Sequence, residues 1–186
     1  MKDQKDIFRR ISGPNLSLRL IEPEDAAYVY GLRTNSRYNL HLSEVSGSIE
    51  DQRRWIEAYK EREANGAEFY YIVERLDGLR CGTVRLYGIE GSSFTWGSWI
   101  LDELKPAKAA LESACLVYKA AFNRLGLRQA TFDVRKENEG TLAFHRRFGA
   151  EETHATEQDI HFVYLESWFA RDWPTFLKVL EEVSGS

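Results

Sequence analysis

Polar and apolar residues recur along the chain with two distinct periods. Leu16, Leu18 and Leu20 alternate with polar positions, the signature of a strand with one buried face. Pro23-Glu24-Asp25 then reads as a helix start, with acids at the positive end of the dipole, and predicts a helix to about Arg33. A loop, 34–47, separates it from a second helix. Ser48, three residues before Asp51, predicts the cap of that helix, whose apolar stripe is Ile49, Trp55, Ile56 and Tyr59. Its charged remainder reads as a solvated face. Residues 69–76 and 79–90 form strands around the turn signal Asp77-Gly78, and 94–101 adds an aromatic strand. Gly97 inside that strand predicts a bulge or the close approach of another group.

After Pro106 the period becomes helical. Leu111, Cys115, Tyr118, Phe122 and Leu125 share a stripe that Gly126 closes. A strand at 129–135 puts Ala130, Phe132 and Val134 on one face. Asn138 caps a helix bearing Leu142, His145 and Phe148, which Gly149 ends. A last strand is expected at about 160–167, and Pro174 opens a C-terminal helix. Residues 1–13 read as a loose lead-in and 168–186 as a helical appendage to a single domain spanning 1–186. The order β-α-α-β-β-β-α-β-α-β-α describes an α+β protein with helices on a mixed sheet. Its 94–101, 107–125 and 129–135 segments form a β-α-β unit with roughly parallel strands.

Composition narrows the class. The 186 residues are 43% hydrophobic and 29% charged, ordinary for a globular chain that buries a core. The formal net charge of −4 lacks the electrostatic footprint of a nucleic-acid binder. Cys81 and Cys115 have no metal-ligand spacing and read as reduced core thiols. No run suits a membrane span or signal peptide, so the expected location is cytoplasmic. The overall charge conceals an asymmetry. Residues 105–149 hold nine basic and four acidic side chains, a net of +5 that leaves −9 for the rest. A helix start directly after a strand, flanked by Lys105 and Lys108, suits a phosphate-bearing ligand. Lys108, Ala109 and Ala110 are the expected N–H donors.

Two stretches carry a family resemblance. LDELKPAKAALESA follows a bulge-bearing strand, and Asn138-Glu-Gly-Thr-Leu-Ala-Phe144-His145-Arg-Arg-Phe-Gly149 follows the next one. Together they resemble the GNAT superfamily of N-acetyltransferases, over roughly Leu16 to Leu165. They are especially similar to bacterial members acting on amino sugars and nucleotide sugars. The pyrophosphate-loop glycines of the family are replaced, with Lys105 for a leading Arg and with Pro106 and Lys108 at glycine positions. His145 stands where the family has a helical Tyr, and Ser98 lies near the place of a Glu.

The resemblance implies acetyl-CoA as cofactor, with direct attack of a small-molecule primary amine on the thioester. Trp99, Ile100 and Leu101 would align the pantetheine arm. Lys105, Lys108, Ala109, Ala110, Asn138, Phe144 and Arg147 would complete the cofactor site. His145 would protonate the departing sulfur, with Ser98 as a second catalytic candidate. His41, Trp96 and Asp133 would form the acceptor wall. His41, Asp133, Glu68 and a water on Ser98 all stand as candidate bases. Arg135, Lys136, Arg146 and Arg147 read equally as cofactor contacts or surface charge. No metal is implied, and a monomer or homodimer is expected. A non-catalytic module of the same fold and an N-terminal peptide acetyltransferase are the competing readings.

Overall fold

The computed structural model describes residues 8–185. Eight strands form one sheet in the order β1-β2-β3-β4-β5-β6-β8-β7. They are β1 Arg10–Ser12, β2 Leu16–Leu20, β3 Phe69–Arg75, β4 Arg80–Glu90, β5 Ser93–Leu101, β6 Gln129–Arg135, β7 Glu151–Ala155 and β8 Asp159–Leu165. The helices are α1 Ala26–Thr34, α2 Ile49–Ala64, α3 Ala109–Tyr118, α4 Glu139–Phe148 and α5 Glu166–Ser184. A 3₁₀ turn, Pro23–Asp25, leads into α1, and a π-helical turn, Lys119–Arg124, extends α3.

Burial on both faces explains the unbroken apolar run of β3. Phe69, Tyr71 and Val73 join the larger core beneath α3, α4 and α5. Tyr70 and Ile72 turn to the smaller core under α1 and α2, with Val29, Ile56 and Tyr59. β6 alternates as its sequence predicts, with Ala130, Phe132 and Val134 buried. The caps also form as predicted. Ser48 Oγ accepts from the Asp51 N–H at 3.2 Å, and Asp51 Oδ2 accepts from the Ser48 N–H at 2.8 Å. Ile49 departs from its expected stripe and is exposed, because it opens the helix before the first buried turn.

Three boundaries differ from the periodicity. Residues 10–12 of the expected loose lead-in form β1, paired with β2 through Ile11↔Leu18; residues 1–7 of that lead-in, and Ser186, lie outside the described residues. β7 was not expected: all five of its residues are exposed, so no apolar alternation marks it, and pairing with β8 alone makes it a strand. α5 begins at Glu166 and carries Pro174 inside it. Phe169 packs into the main core and Leu180 is fully buried, and this burial outweighs the lost proline N–H.

The connection from β5 through α3 to β6 makes those strands parallel, as predicted. They pair only at Ser93↔Gln129 and Phe94↔Ala130 and then diverge. On its other edge β5 is bulged: Ser98 and Trp99 together oppose Val84, between the pairs Arg85↔Gly97 and Thr83↔Ile100. Ser98 has a φ of 46°, in the left-handed region, which places the extra residue one position after the glycine. Gly97 instead provides the close approach, since a Cβ there would stand 3.3 Å from the Tyr87 hydroxyl.

Candidate active site

The divergence of β5 and β6 opens a cleft of about 380 Å³. Beyond Phe94, β5 has no sheet neighbour on that side among the described residues, so backbone groups facing the opening are available to a ligand. His41, Trp96, Ser98, Trp99, Asp133, Asn138 and His145 all line the cleft, although the chain separates the first from the last by more than half its length. Arg33, Tyr87 and Thr141 line it too, and sequence reasoning missed them. The two-residue alternation of β4 was the one available signal for Tyr87; Arg33 carried none.

Aromatic packing fixes the floor. The Trp96 indole N–H donates to the Tyr118 hydroxyl at 3.2 Å, and that of Trp99 to Ser113 Oγ at 3.0 Å. Phe144 meets the Trp99 ring at 5.0 Å between centroids. His145 is 3% exposed, ringed by Phe132 at 4.4 Å, Trp96 at 5.4 Å and Phe144 at 5.4 Å. Its Nδ1 is buried with no hydrogen-bond partner among the described residues. Burial among rings lowers its pKa to about 3, so the imidazole is neutral at physiological pH. An imidazolium that protonates the departing sulfur, as the resemblance implies for His145, does not fit this environment.

The polar rim is more varied. Arg33 donates through Nη2 to Ser43 Oγ at 2.8 Å, while its Nε is buried with no partner among the described residues. The guanidinium of Arg85 stacks on Tyr87 at 4.8 Å. Glu68, one of the candidate bases, is withdrawn from that role. It is buried, outside the cleft, and bound by both Arg62 and Arg85. Burial opposes its charge, yet the two guanidiniums outweigh that and hold its carboxyl below the usual range.

At the start of α3, Lys108 is the N-cap residue with φ 61° and ψ 15°. The left-handed conformation that a glycine would favour is thus present, held by a lysine. The Ala109 N–H donates to the Pro106 carbonyl at 3.3 Å, so Ala109 is not the free donor it was expected to be. Among the described residues the N–H groups of Lys108 and Ala110 have no acceptor, and they fit an anion. Lys105 Nζ lies 3.3 Å from the Asp102 carbonyl. Ile100 and Leu101 pair with Thr83 and Gly82 on the β4 side. Asn138 caps α4, its Oδ1 accepting from the Thr141 N–H at 3.3 Å. Of the four cations around α4, Arg135 is engaged by Gln158 and Asp159 and Arg146 by Glu152 at 2.6 Å, while Lys136 and Arg147 are exposed and have no ion-pair partner among the described residues.

A splayed β5–β6 pair, a bulge at the cleft and a helix start with N–H groups left without acceptors lie together at the two motif segments. The acetyltransferase (GNAT) domain family matches residues 15–151. The chain belongs to the GNAT acetyltransferases. Its fold superposes on that of FdhC, described as a nucleotide-linked sugar GNAT, with a TM-score of 0.85 and 38% identity, covering 92% of this chain and 98% of the other. The spermidine N-acetyltransferase of Vibrio cholerae, solved with CoA and spermine, shares the fold at a TM-score of 0.71 and 21% identity, over 83% of this chain and 98% of that one. An uncharacterized prophage-derived N-acetyltransferase, YokL of Bacillus subtilis (strain 168), is 23% identical over 140 residues, or 74% of this chain and 77% of its own. As a GNAT enzyme the protein is a transferase, and among its described residues no helix is long and apolar enough to cross a membrane.

Proposed function

We propose that this GNAT enzyme uses acetyl-CoA to acetylate a small primary amine that also carries an anionic group, an amino sugar linked to a nucleotide being the reading that best suits the cleft. The carrying observation is the charge of the lining. Among the described residues, Asp133 is its one carboxylate, set among Arg33, Arg135 and His41. A single carboxylate suits one ammonium, and guanidiniums suit phosphate oxygens. A polyamine, with several cationic groups, finds no matching set of acids. The 38% identity to a nucleotide-linked sugar GNAT supports the same class.

Acetyl-CoA supplies the activated thioester. The free N–H groups of Lys108 and Ala110, with Lys105 and Lys108, would hold its phosphates, and Arg147 would add charge. Ser98 to Leu101 would present the unpaired edge of β5 to the carbonyl oxygen, and Asn138 and Phe144 would border the arm. Trp96 and Trp99 wall the reacting centre. His41 stands at the acceptor lip. Asp133 would take the proton that the acceptor amine gives up on acetylation. His145 acts as a neutral hydrogen-bond donor to the departing sulfur and not as an imidazolium acid.

Thiol release with a panel of acceptors tests this: a nucleotide-linked amino sugar, the free amino sugar, spermidine and a peptide with a free N-terminus. Expected is a kcat/KM for the nucleotide-linked amine about 100-fold above the others, with Arg33→Ala erasing most of that advantage. Preference for spermidine or the peptide would overturn the acceptor class. CoA binding with no thiol release from any amine would favour a non-catalytic module.

A further inference from the structure

The turn between β5 and α3 has to keep its shape without the glycines that the resemblance leads one to expect, and a buried side chain provides the support. Asp102 is only 7% exposed. Its Oδ1 accepts from the Leu104 N–H at 2.8 Å, closing an Asx turn at the head of the loop. Its Oδ2 accepts from the Tyr28 hydroxyl at 2.7 Å, 74 residues away in sequence. Its own N–H donates to the Cys81 carbonyl at 2.9 Å, and its carbonyl accepts from the Lys105 N–H at 3.3 Å. Both carboxylate oxygens and both backbone groups are thus engaged, and each bond constrains the path toward Lys108.

Tyr28 is itself held firmly. The Arg80 guanidinium lies 4.6 Å from its ring centroid. Burial, then the hydrogen bond to Asp102, raises its pKa, so the phenol remains a donor throughout the working pH range. Tyr28 belongs to α1, the helix that delivers Arg33 to the cleft. Beyond α1, Arg37 pairs with Glu103 at 3.1 Å, but both side chains are exposed and the pair contributes little.

We propose that Tyr28 and Asp102 are positioning residues that shape the cofactor-binding turn, in the place of its missing glycines, by anchoring the turn to α1. The proposal rests on the acetyl-CoA reading above. Neither side chain lines the cleft, so neither touches the reacting atoms.

Calorimetry with CoA and steady-state kinetics test it on the full chain. Tyr28→Phe should raise the acetyl-CoA KM and the CoA Kd about tenfold while leaving kcat within about twofold, since a tenfold change is about 1.4 kcal/mol, the size of a buried hydrogen bond to a charged group. Asp102→Ala should exceed that, and Asp102→Asn, which keeps an oxygen for the Leu104 N–H, should recover much of it. Arg37→Ala should change neither constant. If the wild-type protein binds no CoA, the acetyl-CoA reading fails. If it binds CoA and Tyr28→Phe and Asp102→Ala bind it equally well, the positioning role is overturned. A proportional fall of kcat and melting temperature with KM unchanged would equally overturn it, by assigning the pair to general stability alone.

Discussion

His145 links a local environment to a measurable pH response. Its folded pKa is about 3, against 6.5 for a free histidine, because its surroundings are apolar rings. Between those two values the unfolded chain binds a proton that the folded one refuses, so stability falls as pH falls through that window and is fully present above about 6.5. From pH 7 to pH 5 this group alone should remove about 2 kcal/mol of unfolding free energy. Urea unfolding at the two pH values checks this, and His145→Phe should remove that part of the acid dependence. The same substitution should lower kcat about tenfold, the loss of one hydrogen bond at the sulfur, without moving an inflection in the pH–rate profile between pH 5 and 9. Turnover unchanged at every pH would take His145 out of the reaction. Its position on the helix was legible from the Leu142–Phe148 stripe and the family motif. Its protonation state was not, because desolvation comes from β5, β6 and β8, whose rings reach it only in the folded molecule.

Among the elements, the β4–β5 pair decides the geometry of the cleft. Gly82 pairs with Leu101 just beyond the bulge, and a Cβ there would sit 2.1 Å from the Ile100 carbonyl oxygen. That atom belongs to the backbone, so no rotamer change relieves the clash. Gly82→Ala must therefore separate the strands, and we expect it to cost at least about 3 kcal/mol by urea unfolding and to raise the acetyl-CoA KM through the displaced edge. A loss under about 1 kcal/mol would show that the strands yield easily. The elements with their own periodicity and caps were readable: α2 with Ser48 and Asp51, β6 with its alternation, α4 between Asn138 and Gly149. β7 was not, since an exposed edge strand leaves no apolar trace. Nor was the start of α5, because Pro174 is a strong local signal that burial of Phe169 overrides.

Across the whole molecule, charge is unevenly distributed while the net value stays small. The +5 of residues 105–149 includes the exposed Lys108, Lys136 and Arg147, none of which has an ion-pair partner among the described residues. If these cations serve an anionic cofactor, the acetyl-CoA KM should rise severalfold between about 0.05 and 0.5 M salt, with kcat nearly constant, because exposed charges are screened over a few ångströms at high ionic strength. A KM indifferent to salt would separate the basic segment from cofactor binding.

By itself the sequence determined most of the segments that become helices and strands, where most of these begin and end, and the motif that marks the family, since caps, turns and apolar periods act within a few residues. The tertiary structure decided which residues meet. Arg33, Tyr87 and Asp133 line one cleft only because β5 and β6 part after two pairs. Glu68 leaves the list of bases because two arginines enclose it. Tyr28 supports a turn 74 residues away because α1 packs beside that turn. Convergence and desolvation depend on contacts between distant parts of the chain, and no local pattern encodes them.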